Sequence, residues 1–399
     1  MHIEFDKDLC VGCMACQQTC DRDAITSQRI NGFIYPQIDN SKCIDCGKCV
    51  SVCNQYHRNI KEGHIANQIF ACQLFNNDEV LINSTSGGFF YALAKYVIDK
   101  SGVVFGAGYD ESMRVVHSYA ENEKQLIKFN GSKYIQSDIG KTYMQAKEFI
   151  AQGRYVLFSG TPCQIASLYD FLGEKPSNLI TVDVICYGIA SPLLLHKCLE
   201  YYERKNNKIV NYRFRDKSIF GWSHTTKIIY ANGKTRININ PRFDLFYRLW
   251  GRADLCLRSS CYSCPYISKM RVSDFTIGNY WGIEAISSKF DIDKGVSLVL
   301  LNTQNAKKIF GFIKNELITD IGTWDSVLMY QHGLKKCVTA AQTNTFYSDL
   351  KNLDISKCVS KYDPPSFLKK IVLNMPHKLQ YLLLYPLKIY RVKKGGVRL

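Results

Sequence analysis

Long apolar runs are missing from this 399-residue sequence, in which no stretch approaches the roughly 20 residues of a membrane-spanning helix. The first residues also lack the basic and apolar segments of a secretory signal. We therefore expect a cytoplasmic protein. Its content of 46% hydrophobic and 22% charged residues is typical of a globular chain. Its length predicts two or three domains.

Acidic residues are absent from residues 364–399, which contain eight lysines and arginines and half of the net charge of +16. Apolar residues among these basic ones suit an anionic membrane surface. This basic amphipathic tail is therefore either a peripheral contact with the inner membrane face or a helix packed on the body. A basic chain can also bind nucleic acid. We expect no nucleic-acid partner, because no helix-turn-helix, RNP or zinc-finger pattern accompanies the charge.

Cysteine, in contrast, is abundant, with 17 residues of which eight lie within the first 53. Cytosolic thiols stay reduced, so metal binding explains them better than disulfides. The motif C-x2-C-x2-C-x3-C occurs twice, with an offset of 33 residues. Its two copies are Cys10, Cys13, Cys16 and Cys20, and Cys43, Cys46, Cys49 and Cys53.

In this spacing, three thiolates bind one 4Fe–4S cluster and the fourth binds the other. The sequence therefore predicts two clusters, and a pair of zinc sites is the alternative, although zinc prefers paired C-x2-C units. Gly12 and Gly47 lie inside the two loops, where we expect a side chain to crowd the cluster or the turn. The predicted ligand sets are Cys10, Cys13, Cys16 and Cys53 for one cluster and Cys43, Cys46, Cys49 and Cys20 for the other.

Residues 1–57 resemble the two-cluster bacterial ferredoxins, and the doubled cysteine motif carries the resemblance. One departure is visible. The residues after the fourth cysteines are Asp21 and Asn54, where that family usually has proline. Clusters of this kind relay single electrons, so the segment predicts electron transfer.

The rest of the chain alternates strand and helix patterns, which predicts an α/β sheet with functional groups at the strand ends. Cys163 and Cys186 lie at two such ends, and Cys163 also begins a helix, where the dipole favours a thiolate. Residues 84–88 are either a phosphate-compatible helix start or an ordinary serine cap. The predicted strands are 69–74, 102–107, 155–158 and 181–185, the predicted helices are 89–97, 164–172 and 193–202, and residues 207–241 look β-rich with a turn at 232–233.

Five motifs, taken in order, resemble the coenzyme F420 hydrogenase/dehydrogenase β-subunit family, in which an attached ferredoxin-like domain is common. The resemblance covers about residues 68–325 and implies an α/β (α+β) body with an N-terminal ferredoxin-like domain. Tyr187 and Asn279 stand where many members have His and Asp. The motifs are Ser86-Gly87-Gly88, Gly160-Thr161-Pro162-Cys163-Gln164, Cys186-x-Gly188, Cys261-x2-Cys264 and the run from Asp274 to Gly282.

The resemblance further implies a bound FAD and a third 4Fe–4S cluster. Cys256 could replace one of the third cluster's ligands, and Cys163 could instead be a buried thiol or a nucleophile. For Cys72, Cys198, Cys337 and Cys358 we expect simple burial. The implied cluster ligands are Cys163, Cys186, Cys261 and Cys264, and the implied flavin-binding residues are Ser86, Gly87, Gly88, Lys133, Tyr134, Gly160 and Thr161.

These expectations describe a flavin-dependent iron–sulfur oxidoreductase. A donor or acceptor protein or coenzyme would exchange electrons with it. At the flavin, either coenzyme F420 or a small-molecule or lipid-linked substrate of surface-polysaccharide biosynthesis would react. Lys133, Tyr134 and Tyr187 are the candidate proton donors. The alternative is a non-catalytic electron-transfer subunit. The expected regions are a ferredoxin-like domain at 1–60, N-terminal-like and C-terminal-like β-subunit regions at 68–150 and 151–330, and the tail at 364–399.

Overall fold

The computed structural model describes residues 2–57 and 63–364, together with Leu379 and Leu382. Apart from these two leucines and residue 364, the predicted basic tail lies outside the described residues. The strands are β1 Ile25–Ile30, β2 Phe33–Ile38, β3 His64–Ile65, β4 Gln68–Leu74, β5 Val103–Tyr109, β6 Val115–Ala120, β7 Val156–Gly160, β8 Leu179–Val184, β9 Ile209–Arg213, β10 Thr226–Tyr230, β11 Thr235–Asn238, β12 Met270–Arg271, β13 Phe275–Asn279, β14 Ser297–Leu301 and β15 Leu317–Ile321.

The helices are mostly short, and the longer ones follow the strands of the body. They are α1 Ala15–Gln18, α2 Lys48–Ser51, α3 Asn54–His57, α4 Asp78–Asn83, α5 Phe89–Ile98, α6 Thr142–Ala151, α7 Pro162–Leu172, α8 Pro192–Glu203, α9 Leu245–Trp250, α10 Ala253–Cys256, α11 Gln304–Ile313, α12 Trp324–Tyr330, α13 Thr343–Asn352 and α14 Ile355–Tyr362. Within the described residues, no helix combines the length and apolar character needed to span a bilayer.

A central sheet of eight strands forms the body, in the order β15-β4-β14-β13-β8-β7-β5-β6. Strands β5, β7, β8 and β13 run parallel to one another, so their carboxyl ends meet at one edge. Cys163, in the first turn of α7, and Cys186, in the loop after β8, lie at this edge. Because β4, β5 and β6 share this sheet with β7, β8, β13, β14 and β15, the expected boundary between residues 150 and 151 falls inside one structural unit.

Helices cover both faces of this sheet. Alternate residues of each central strand point to opposite faces, so Val104 and Leu157 pack with α5 and α11. Phe105 and Phe158 point to the opposite face and pack with α6 and α7. The central strands are buried on both sides, which is typical of parallel sheets.

A second core lies beside the sheet and forms around the three-stranded sheet β11-β10-β9. It includes buried residues of α8, α9, α13 and α14, and it also buries Phe33 and Tyr35 from the N-terminal hairpin β1–β2. The N-terminal segment is therefore packed into the body as part of a shared core.

The start of α5 differs from the predicted serine cap. Its N-cap is Gly88, with φ of 80° and no side-chain cap. The Ser86 hydroxyl instead donates to the carbonyl of Val296, 2.8 Å away. The serine therefore ties the loop to β14 and leaves the helix cap to a glycine, which adopts positive φ at little cost.

Candidate metal and cofactor site

Four N-terminal thiols gather on the side of the ferredoxin-like segment that faces the body. Burial raises the pKa of Cys13 to about 11, and the neighbouring Cys10 raises it further. Burial likewise raises the pKa of Cys53 to about 12, with Cys13 and Cys10 beside it. Cys16 is buried next to the same three thiols. The predicted crossing of Cys53 to the first motif is thus compatible with the geometry.

The thiols predicted for the second cluster lie on the outer side of the segment. Cys46 is exposed and Cys43 is partly exposed, while Cys49 is buried beside Cys16, Cys20 and Cys53. The backbone N–H of Ile3 donates to the Cys49 sulfur at 3.3 Å. A set of convergent thiols is the donor set that iron–sulfur clusters use.

Specific hydrogen bonds hold the ferredoxin-like segment against the body. Asn54 is 2% exposed, and its amide donates to the Tyr266 hydroxyl at 2.7 Å and to an Asp170 carboxylate oxygen at 3.1 Å. The Gln18 side chain accepts from the backbone N–H groups of Tyr143 and Met144 at the start of α6. The first motif is therefore fixed next to α6 and α7.

Gly12 permits a close contact between the first cysteine loop and its surroundings. At its φ of +69°, a Cβ atom would lie 2.4 Å from Gln136 Nε2 and 2.7 Å from the carbonyl oxygen of Ile34. The first atom belongs to the body and the second to strand β2, and both lie against the first cysteine loop. The glycine thus permits the close approach of the body to this loop.

Four cysteines of the body line one small cavity at the carboxyl edge of the sheet. Cys163 comes from the start of α7 and Cys186 from the loop after β8, while Cys261 and Cys264 come from the loop before β12. Val11, from the first N-terminal cysteine loop, lines the same cavity. The four residues carried over from the family resemblance are therefore brought together, next to the predicted first cluster.

Burial dominates the electrostatics of these body thiols. It raises the pKa of Cys163 to about 12, with Cys264 raising it further and the Thr161 hydroxyl and Arg258 opposing it. The expectation that the helix dipole favours a Cys163 thiolate is thus outweighed by desolvation. A bound metal would deprotonate such a thiol, since coordinated thiols are anionic.

Two further cysteines lie near this cavity. Cys256 is buried in the second core and does not line the cavity, so it is poorly placed to replace a ligand. Cys337 was expected to be simply buried, but it is half-buried and its thiol lies 3.4 Å from the carbonyl oxygen of Cys264. Its sequence position gave no sign of this contact, because it lies far along the chain from the C-x2-C pair.

Arg258 joins the two cysteine sites and was not predicted from the sequence. It lines the cavity with the body cysteines, and its Nε donates to the carbonyl oxygen of Cys10 at 2.8 Å. Its backbone N–H donates to the carbonyl of Ile189 at 3.1 Å. The side chain is 1% exposed.

A larger cavity of about 380 Å³ adjoins the cysteine cavity. This volume is within the range of cofactor and small-molecule pockets, about 300–1,000 Å³. The two cavities share part of their lining, namely Val11, Thr161, Cys163, Cys186, Gly188 and Ile189.

Most residues implied for flavin binding line this larger cavity, namely Ser86, Gly88, Lys133, Tyr134, Gly160 and Thr161. Gly87 does not line it. A Cβ atom on Gly87 would lie 2.1 Å from the carbonyl oxygen of Cys72, and its N–H donates to the Ser297 hydroxyl at 2.9 Å. Gly87 therefore allows the 84–88 loop to lie close to the sheet.

The three candidate proton donors all line the larger cavity, but their surroundings differ. Burial lowers the pKa of Lys133 to about 7, and its Nζ donates to the carbonyls of Ala107 and Asn130 at 3.0 and 2.9 Å. The Tyr134 hydroxyl accepts from Arg215 Nε at 3.0 Å. Tyr187, in the position where relatives have His, is 38% exposed and is the most accessible of the three.

Further polar and aromatic residues in and beside the cavity were not singled out as binding residues from the sequence. His117 Nε2 lies 3.1 Å from the carbonyl oxygen of Ser159, so it donates there, and Nδ1 is left as an acceptor without a partner among residues 2–57 and 63–364. The Arg215 guanidinium lies 5.3 Å from the Trp281 ring centre. Lys217 donates to the carbonyls of Leu81 and Ser86 and thus braces the 84–88 loop.

Comparison with known families agrees with this organisation. Residues 9–56 match the family model of the 4Fe-4S dicluster domain. Residues 153–325 match the model for the C terminus of the coenzyme F420 hydrogenase/dehydrogenase beta subunit. The chain therefore contains one segment similar to 4Fe-4S dicluster domains and another similar to the C terminus of F420 hydrogenase/dehydrogenase beta subunits. The predicted family resemblance and the predicted α/β body with a ferredoxin-like domain are confirmed.

Comparison with solved structures matches the chain to one from the F420-reducing NiFe hydrogenase complex of Methanosarcina barkeri, studied by xenon derivatization. The match has a TM-score of 0.44 and 15% sequence identity, and it covers 75% of this chain and 91% of that chain. No curated protein matches the chain.

Proposed function

We propose that this chain is a flavin-dependent iron–sulfur oxidoreductase with three 4Fe–4S clusters and one FAD. The observation that carries the proposal is the shared wall between the cysteine cavity and the larger cavity. Val11 of the first cysteine loop belongs to that wall. The proposed sites of the inner N-terminal cluster, the third cluster and the flavin thus adjoin one another.

The positions of the cysteine sites indicate where a partner would exchange electrons and which clusters would connect that surface with the larger cavity. Cys46 of the second motif is exposed, whereas Cys13 and Cys16 of the first lie against the body or in the core of the segment. A protein or coenzyme partner would therefore exchange single electrons at the outer cluster. The inner cluster and the third cluster would connect that surface with the larger cavity.

The larger cavity offers suitable groups for a flavin nucleotide. The loop of Ser84 to Gly88 and the loop of Asn130 to Lys133 meet at one end, where the Ser132 N–H donates to the Thr85 hydroxyl at 2.7 Å. Polar loops of this kind suit phosphate groups. His117 Nδ1 adds an acceptor that has no hydrogen-bond partner in the described part of the chain. A bound flavin would supply the exchange between one-electron and two-electron chemistry.

The remaining side chains of the cavity suit a substrate that is both cyclic and anionic. Trp281 stacks on Trp222 with ring centres 4.2 Å apart, and Arg215 lies over Trp281. Tyr134 stacks on Trp250 at 4.8 Å. An aromatic floor next to a guanidinium favours a ring with a carboxylate or phosphate. Coenzyme F420 and a lipid-linked glycan intermediate of surface-polysaccharide biosynthesis are two substrates of this kind.

The proposal predicts the cofactor content of anaerobically purified protein. We expect about twelve irons, matching sulfide and one FAD per chain, because three cubanes contain four irons each. A Cys261→Ala, Cys264→Ala double variant should retain about eight irons, since the N-terminal ligands are intact. Iron and sulfide assays and a flavin extraction check both values.

Two results would contradict the proposal. Wild-type protein with about eight irons would remove the third cluster. Wild-type protein with all of its iron but no flavin would favour the alternative, a carrier subunit that passes electrons to a partner enzyme.

The basic tail is proposed as a peripheral membrane contact, because it combines leucines with eight basic residues and no acidic ones. Full-length protein should float with vesicles that contain an anionic phospholipid, and a 1–363 truncation should float less. Equal flotation of the two proteins would contradict membrane contact through the tail.

A further inference from the structure

Arg258 is a charged side chain buried at the junction between the ferredoxin-like segment and the body. It lies two residues after Cys256 and three before Cys261, and no sequence motif singled it out. Its backbone carbonyl accepts from the Cys261 N–H at 2.9 Å. The residue is therefore part of the same loop as two proposed ligands of the third cluster.

The side chain of Arg258 extends from this loop to the first cysteine motif. Its Nη2 donates to the carbonyl of Ile34 at 3.0 Å and lies 3.6 Å from the Cys10 sulfur. The guanidinium carbon lies 4.0 Å from the centre of the Tyr35 ring. One cation thus contacts a proposed ligand of the inner N-terminal cluster and also lines the cavity of the third.

The charge of Arg258 has no carboxylate partner among residues 2–57 and 63–364. Its Nη1 atom also lacks a hydrogen-bond partner within these residues. Arg271, which is equally buried, is instead paired with the Asp183 carboxylate at 2.5 Å. Burial of an unpaired charge costs several kcal/mol, so a counter-charge is expected beside Arg258.

Iron–sulfur clusters supply such a counter-charge. Four thiolates around an oxidised 4Fe–4S core of charge 2+ leave a net charge of about −2. Reduction adds one electron and hence one further negative charge, with no bond formed or broken. A fixed cation nearby stabilises the reduced state more than the oxidised state.

We infer that Arg258 is a positioning residue whose charge is shared by the inner N-terminal cluster and the third cluster, and that it raises the reduction potentials of both. The inference rests on the proposed function, because it requires both clusters. One buried side chain would thus favour the reduction of two neighbouring clusters.

The test compares anaerobically purified wild-type protein with Arg258→Gln and Arg258→Lys. An exposed arginine provides the matched control, Arg242→Gln, which removes the same charge from the surface. Each protein is first assayed for iron and sulfide and for thermal unfolding. Its clusters are then titrated at set potentials and followed by electron paramagnetic resonance.

Arg258→Gln should lower the reduction potentials of the inner N-terminal cluster and of the third cluster, whereas the potential of the outer N-terminal cluster should change less. For the most affected cluster we expect the ratio of reduced to oxidised protein at a fixed potential to fall about tenfold, which corresponds to 59 mV for one electron. Arg258→Lys keeps the charge and should stay close to wild type. Arg242→Gln should leave all three potentials unchanged.

Unchanged potentials in an Arg258→Gln protein with full iron content would overturn the inference and leave the proposed function intact. If Arg258→Gln loses iron, Arg258→Lys decides. Wild-type potentials in the lysine variant support a role of the charge, and lowered potentials or lost clusters in it indicate a purely structural role and overturn the inference. Absence of the third cluster from wild-type protein would instead contradict the proposed function, before any variant is compared.

Discussion

Single residues explain how the ferredoxin-like segment departs from its relatives. Asn54 occupies a position where bacterial ferredoxins usually have proline, and its buried amide bonds to Tyr266 and Asp170 of the body. Asp21, at the equivalent position of the first motif, instead pairs with Lys48 in an exposed contact. Proline could make neither contact. The presence of Asn54 in place of proline therefore fits a segment that is packed against a larger body.

Replacement of Asn54 by alanine should weaken this docking. The change removes the amide donor to the buried Tyr266 hydroxyl and one of the contacts of Asp170, which costs about 1–3 kcal/mol. Asp21→Ala is the matched control, because an exposed ion pair contributes only about 0–1 kcal/mol. Chemical denaturation of the two variants measures the difference, and equal destabilisation would contradict the docking role of Asn54.

Secondary structure was largely predictable, because strand and helix patterns are local. Strands β4, β5, β7 and β8 and helices α5, α7 and α8 coincide with predicted segments to within a few residues. The order of the central sheet was not predictable. Strand β13 pairs with β8, although nearly a hundred residues separate them along the chain. Such pairing depends on contacts that no local pattern encodes.

Helix α6 shows how one element depends on another. The side-chain oxygen Oε1 of Gln18, at the end of α1, accepts from two backbone N–H groups in the first turn of α6, each at 3.1 Å. These N–H groups have no partner within their own helix. A side chain from the ferredoxin-like segment therefore caps a helix of the body.

Gln18→Ala should destabilise the protein by about 1 kcal/mol, the usual value of a helix cap. Gln17→Ala, one residue earlier on the same helix, is the control, because no side-chain bond to α6 is lost. Thermal unfolding compares the two. Similar unfolding temperatures for both variants would contradict a capping role of Gln18.

At the scale of the whole molecule, motif spacing and the family resemblance singled out the cysteines that the structure brings together, and neither indicated the residues around them. The spacing of the N-terminal motifs pairs Cys53 with the first cysteine loop, which agrees with the gathering of these thiols. Arg258 contacts Cys10, although nearly 250 residues separate the two along the chain. His117 and Arg215 also line the larger cavity, and only the fold brings them there. Thiol motifs have a local signature, whereas isolated charged residues have none.

The central claim is a continuous electron path from the exposed N-terminal motif to the larger cavity. The most direct measurement is the rate at which a reduced ferredoxin, too large to enter the cavity, bleaches the flavin absorbance of this protein under anaerobic conditions. Wild type should react rapidly, and the Cys261→Ala, Cys264→Ala variant should react far more slowly while it keeps its flavin and about eight irons. Equal rates in the two proteins would contradict the path.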